Sequence, residues 1–95
     1  MSYAILISPS AIRDLQTAID YYNEKAENLG DRFADIVASH FNQIATTPTA
    51  ASTRYKNIRC KPMKVFPYLI MYTIDDSGET VNILRIFNTY TEPIW

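Results

Sequence analysis

Five of the nine Lys and Arg residues fall within eleven positions: Arg54, Lys56, Arg59, Lys61 and Lys64, with no Asp or Glu among them. Cations held this close together attract one polyanion better than scattered ones, so the run suits a phosphate or an acidic partner. Arg59 and Lys61 are two apart and share a face if the chain is extended there. Arg85 is a further candidate. It follows Ile83 and precedes Phe87 at a period of two, which puts a charge on an otherwise apolar strand face. Unpaired burial would be costly, so Arg85 needs a carboxylate, a carbonyl or an open groove. Tyr90 is the candidate proton-transfer group of the tail, although an ordinary phenol, with its pKa near 10, is a poor base. Each residue also has a plainer role: lysines along a sheet edge discourage aggregation, Arg85 can sit in a structural ion pair, and Tyr90 can pack on the surface.

The rest of the chain does not share the basic bias. Residues 1–50 carry a net charge of −3 and residues 51–95 a net charge of +2, which gives the overall −1. That balance excludes a bulk coater of nucleic acid and fits a polarised domain with one basic face, whose affinity for a polyanion would be local and salt-sensitive. His40 is the only histidine and Cys60 the only cysteine. A zinc site is therefore not expected, and no internal disulfide can form. Cys60 lies beside Arg59 and Lys61, which could lower its pKa, but no histidine accompanies it as a base. There is no Gly-rich phosphate loop, and no cofactor is expected.

These side chains must be carried by a single domain, because 95 residues, 47% of them hydrophobic, suffice for one core. The N-terminal apolar run of residues 3–7 is too short for a membrane span and lacks the charged lead of a signal peptide, so a cytoplasmic location is expected. The same run reads as a strand. Ser8-Pro9 then opens a helix, with a hydroxyl to cap free N–H groups and a proline where its missing N–H is harmless. Ile12, Leu15, Ile19 and Tyr22 follow at 3–4–3 spacing with Ala11 and Ala18, as one amphipathic face. Gly30 is expected to break the two helices apart, and Asp31 to cap the second. Phe33, Ile36 or Val37, Phe41 and Ile44 continue a helical stripe until Thr46-Thr47-Pro48 stops it.

After the small, polar segment 48–53 the period changes to two. Tyr68, Ile70, Tyr72 and Ile74 alternate with Leu69, Met71 and Thr73, as a central strand covered by helices on at least one face. Pro67 marks a bulge or the strand start. Residues 75–79, Asp-Asp-Ser-Gly-Glu, form a hairpin turn into a strand over residues 80–87. The fold class is α+β: an N-terminal strand and a helical hairpin packed on an antiparallel sheet of three or four strands.

This arrangement resembles the RelE/ParE family of bacterial type II toxins over nearly the whole chain. The resemblance rests on Ile7-Ser8-Pro9-Ser10-Ala11, Tyr21-Tyr22, and Gly30-Asp31-Arg32-Phe33. It continues through Arg59, Phe66-Pro67-Tyr68-Leu69-Ile70-Met71-Tyr72, Val81-Asn82-Ile83-Leu84-Arg85-Ile86-Phe87, and the ending Pro93-Ile94-Trp95. It implies a toxin made beside a cognate antitoxin, whose C-terminal segment would mask the basic surface formed by Arg54, Lys56, Arg59, Lys61, Lys64 and Arg85. It also implies one of two activities. RelE-like members cut mRNA in the ribosomal A site, without a metal; ParE-like members act on DNA gyrase and are not nucleases.

Cutting RNA through its own 2′-hydroxyl needs a base, cations for the charge at phosphorus and an acid for the leaving oxygen. Arg59, Lys61, Lys64, Arg85 and Tyr90 are the residues available for it. Many relatives carry His and then Arg shortly before the terminal Pro-x-x-Trp-like ending, whereas this chain has Asn88-Thr89-Tyr90-Thr91-Glu92. Asn cannot exchange a proton near neutral pH and Thr cannot hold a phosphate charge. The resemblance therefore favours the ParE-like side, a binder of a macromolecular target. A nuclease, or a degenerate member kept for antitoxin binding, are the alternatives. Trp95 is expected to fold back onto the sheet, and Tyr21-Tyr22 to be half core and half surface.

Overall fold

The opening turn of the first helix shows how one residue ties two elements together. Ser8 caps it: its Oγ accepts the Ala11 N–H at 3.0 Å and donates to the Leu84 carbonyl at 2.9 Å. The computed structural model describes residues 2–90, so the expectation for Trp95 lies outside the described residues. Strand β1 (Ala4–Ile7) leads into helix α1 (Pro9–Lys25), and helix α2 (Leu29–Thr46) follows. Then come strands β2 (Thr53–Tyr55), β3 (Ile58–Pro62), β4 (Tyr68–Asp75) and β5 (Thr80–Asn88).

The five strands form one sheet in the order β1-β5-β4-β3-β2. The β5, β4, β3 and β2 neighbours are antiparallel, as the alternating sequence anticipates. The sheet is one strand wider than expected because β1 joins it, parallel to β5, with Ala4 opposite Thr80 and Ile7 opposite Ile83. Pro67 immediately precedes β4, where its missing N–H breaks no ladder bond.

The helix break differs from the expected one. Ala26 ends α1, with its N–H on the Tyr22 carbonyl, and Asn28 enters α2 in the left-handed conformation at φ 65°. Gly30 is inside the first turn of α2 and buried, where the hairpin needs two helices to approach closely. Asp31 lies in that first turn, where its charge suits the helix dipole, but it is not the cap. The capping acceptor comes from the other helix: Asn23 Oδ1 of α1 takes the Gly30 N–H at 2.7 Å. The stop at Thr46-Thr47-Pro48 is where α2 ends.

Both helices cover one face of the sheet. Ala11, Ala18, Phe33, Val37 and Ile44 meet Tyr68, Ile70, Tyr72, Val81, Ile83 and Ile86 there, with Phe66 and Met63 entering from the β3–β4 loop. Burying a side chain as large as Phe33 or Ile70 contributes about 1.5–3 kcal/mol. Tyr22 stacks on Phe33 at 5.5 Å and touches Phe66 at 4.7 Å, while Tyr21 is about half exposed, which matches the expected division of that pair. Ile12 is 54% exposed and lies outside the buried stripe; the small Ala11 takes the core position beside it. The opposite sheet face has its own apolar cluster of Cys60, Leu69 and Phe87 with Met71 against it.

Candidate functional site

Strand alternation distributes the cationic run over different parts of the molecule. On β3, Arg59 is opposite Tyr72 and Lys61 opposite Ile70, so both point to the helix-covered face, and Cys60 between them points away. Arg59 is engaged by the chain itself. Its Nη1 donates to the Ala51 carbonyl at 2.6 Å and to the Thr49 carbonyl at 3.4 Å. Beside it, the Tyr72 hydroxyl donates to the Pro48 carbonyl at 2.6 Å. These bonds fasten the segment after α2 to the sheet. Lys61 borders a small recess with Gln43, Ile44 and Thr47, close to the negative end of the α2 dipole.

Arg54 is exposed on β2, and its charge reaches the Cys60 thiol from the outer side. Burial nonetheless pushes that thiol up, and the cation offsets only part of the rise. The cation acting on Cys60 is thus Arg54 rather than Arg59 or Lys61, and the buried thiol is no ready nucleophile. Lys56 sits in the two-residue β2–β3 turn at φ 50°, with its Nζ 5.4 Å from the Tyr55 ring centroid. Lys64 is exposed in the β3–β4 loop.

Arg85 is on the outer face, and a bulge explains why. Met71 is opposite Arg85 but Tyr72 is opposite Ile83, so Leu84 is an extra residue that breaks the period of two. Ile83 therefore faces the core while Arg85 and Phe87 face out, with the guanidinium 5.7 Å from the Phe87 ring centroid. Its carboxylate is Asp14 of α1, a residue to which the sequence reading assigns no role. Arg85 Nε meets Asp14 Oδ2 at 2.6 Å and Nη2 meets Oδ1 at 3.0 Å. Asp14 Oδ2 also accepts the Ile86 N–H at 3.0 Å, on the stretch of β5 that β1 is too short to cover. The only sequence signal for this pair is an acid on the polar flank of α1.

Tyr90 is 85% exposed, and its N–H donates to Asn88 Oδ1 at 2.9 Å. A cleft of about 360 Å³ lies between α1 and the β4–β5 strands, bordered by Asp14, Thr17, Tyr21, Tyr68, Ile86 and Asn88. Tyr22, packed against Tyr68, has its phenol pushed up to about 12 by burial, with Tyr68 adding to the effect, so it keeps its proton at neutral pH. The structure thus brings Lys61 and Lys64 to the α2 side, where both act on His40. It holds Arg59 inward and keeps Arg85, which leaves β5 on the outer side, at the sheet edge where its guanidinium meets Asp14 of α1.

His40 links the α2 side to the β3–β4 loop. It is 2% exposed, and its Nε2 accepts the Lys64 backbone N–H at 3.1 Å, which only the neutral ring can do. Burial lowers its pKa from 6.5, Lys61 and Lys64 lower it further, and the nearby Gln43 side chain opposes them. The unfolded chain therefore binds more protons as the pH falls below about 6.5. Stability should be full above that value and decline through the window down to the lowered folded pKa. Urea midpoints at about pH 7.5 and 5.5 should fall for the native chain and stay flatter for His40→Gln; equal slopes would remove His40 as the cause.

Comparison with known proteins agrees with the fold. The family description of the ParE toxin of the type II toxin–antitoxin system parDE matches residues 5–91. The chain belongs to the ParE toxin family. Among solved structures it is similar to a chain of the chromosomal ParDE toxin–antitoxin system from P. aeruginosa, at 14% identity and a TM-score of 0.77, covering 92% of this chain and 96% of that one. A chain of the RelBE2 toxin–antitoxin complex from Mycobacterium tuberculosis follows, at 22% identity and a TM-score of 0.68, covering 93% and 99%. A mutant of the E. coli toxin RelE in the free state gives 10% identity and a TM-score of 0.60, covering 97% and 88%. No curated protein matches. This ParE-family chain thus shares the architecture of both branches, and among its described residues no helix is long and apolar enough to cross a membrane.

Proposed function

We propose that this ParE-family toxin acts by binding and inhibiting DNA gyrase, and that a cognate antitoxin silences it by covering the cations around β2 and β3. The observation that carries the reading is the division of the cations. RNA cleavage needs its charges converging on one phosphate, whereas Arg59 and Lys61 point to the helix side of β3, Arg85 is held by Asp14 at the edge of β5, and Arg59 braces a loop. Tyr90, at 85% exposure, stands in solvent rather than in the water-excluded setting where a catalytic acid or base works best. Exposed cations such as Arg54, Lys56 and Lys64 serve binding to an acidic surface instead.

The test is growth after induction of the chain alone, with plasmid supercoiling and transcript integrity sampled from the same culture. Arrest with inhibited supercoiling and intact transcripts is the expected result. Arrest with cut transcripts would make the chain a ribosome-dependent nuclease, and normal growth with folded protein would make it a degenerate antitoxin binder. For the antitoxin, Arg54→Glu with Lys61→Glu should weaken the complex by about tenfold or more, in part through a slower on-rate at low salt. Unchanged affinity would move that interface elsewhere. Arg59 is unsuited to the experiment, because its loss would release the segment it braces.

A further inference from the structure

The β3–β4 loop holds a residue whose choice neither backbone preference nor packing explains. Among the described residues, four besides glycine have positive φ, and three of them, Asn28, Lys56 and Glu79, are types that a turn tolerates. The fourth is Val65, at φ 74°. A β-branched residue there is a true conformational outlier, because its two γ-methyls crowd the backbone. The Phe66 N–H donates to the Lys64 carbonyl at 2.8 Å, so residues 64–66 form a three-residue turn of the rare, strained hand. Glycine would remove the strain, and neither glycine of the chain is used at positive φ.

Packing does not offset it either, since the Val65 side chain is 71% exposed. The loop is nonetheless fixed on every side. Met63 and Phe66 are 8% exposed and anchored in the core. His40 holds the Lys64 N–H, the Met63 N–H reaches the Tyr68 carbonyl at 2.9 Å, and Thr89 donates to the Pro67 carbonyl from both its N–H and its Oγ. Strain that surrounding structure over-determines in this way is characteristic of binding elements.

We infer that Val65 is a rigid apolar contact point through which the toxin engages a folded protein target, with Lys64 beside it meeting a carboxylate. A convex, immobile side chain fits a preformed depression, which a folded protein offers and an extended peptide lying on the sheet does not. Nucleic acid is a poor occupant, since a valine neither stacks on a base nor hydrogen-bonds to one. The inference rests on the proposal that the chain arrests growth through a protein target, and it adds which residue makes the contact.

Three variants separate the backbone from the side chain. Val65→Gly should relieve the strain and raise Tm by roughly 4–8 °C, yet weaken growth arrest by about tenfold or more. Val65→Thr keeps the branched shape and the strain but replaces a methyl by a hydroxyl, so Tm should hold while arrest weakens. Val65→Ile should retain both. Affinity for the purified cognate antitoxin should change by less than about twofold in all three, since the contact lies on the target and not on the antitoxin. If the native chain arrests growth and the Gly and Thr variants arrest it equally well, the contact is overturned while the toxin reading stands. If the native chain causes no arrest, both fall. A larger loss of antitoxin affinity than of arrest would assign Val65 to the antitoxin and overturn the inference as well.

Discussion

Gly30→Ala should cost the protein about 3 kcal/mol and lower Tm by roughly 12–24 °C, the largest effect expected of any single methyl in the chain. On helix propensity alone the change would be favourable by about 1 kcal/mol. Packing overrides that. A Cβ at position 30 would overlap the Ile19 carbonyl oxygen and lie 2.7 Å from Asn23 Cγ. The first of these is backbone of α1, so only a displacement of the whole helix can relieve it. The displacement would in turn stretch the 2.7 Å bond from Asn23 that caps α2, and loosen Tyr22 from Phe33. Calorimetry with near-ultraviolet circular dichroism reads both effects. A variant as stable as the native chain would show that the hairpin slides apart freely, and that the close crossing is incidental.

Asp14→Ala should follow at about 2–3 kcal/mol, or roughly 8–24 °C in Tm, and should exceed the loss from Arg85→Ala. The asymmetry comes from what each deletion leaves behind. Asp14 has three N–H donors on its two oxygens, two from Arg85 and one from Ile86, and its side chain is only 17% exposed. Its removal takes the acceptor from a backbone group on the part of β5 that β1 does not pair with, and takes the carboxylate from a guanidinium lying over Phe87. Removing Arg85, whose side chain is 38% exposed, leaves the carboxylate still bound to Ile86 and able to take up water. That loss should be about 1 kcal/mol. Asp14→Asn, which keeps an acceptor for Ile86, should lie between the two. An Arg85→Ala loss equal to or larger than that of Asp14→Ala would mean that the charge pair, and not the strand-edge acceptor, dominates.

These two sites also mark where the sequence can be read and where it cannot. Ser8-Pro9, the Thr46-Thr47-Pro48 stop, the turn at residues 75–79 and the alternation of β4 are local signals, and each element lies where those residues put it. Gly30 carries the right signal with the wrong meaning: a glycine between helical stripes resembles a break, and only the crossing of α1 and α2 reveals a close approach. Counting by two misplaces Arg85 because Leu84 adds one residue to β5, and a bulge is set by the partner strand rather than by the residues in it. Asp14 is invisible for a similar reason, since its partner is 71 positions away. In the cationic run, alternation does place Arg59 and Lys61 on one face. That this face is the one under α2, with the Ala51 carbonyl there to take the guanidinium, depends on long-range packing that no window of sequence contains.

The parallel pairing of β1 with β5 has a consequence for when this molecule can exist at all. Among the described residues, β1 has as its only sheet neighbour β5, the strand farthest from it in sequence, and Ser8 reaches across 76 positions to the Leu84 carbonyl. The helical hairpin can form from neighbouring residues as the chain emerges, but the sheet cannot close until synthesis has passed position 83. A ribosome that stalls earlier releases a chain whose β1 has nothing to pair with and whose helices lack most of the sheet they cover. Termination before β5 should therefore yield proteolysed fragments rather than a partly folded domain, and the folded form appears only once that strand has been made.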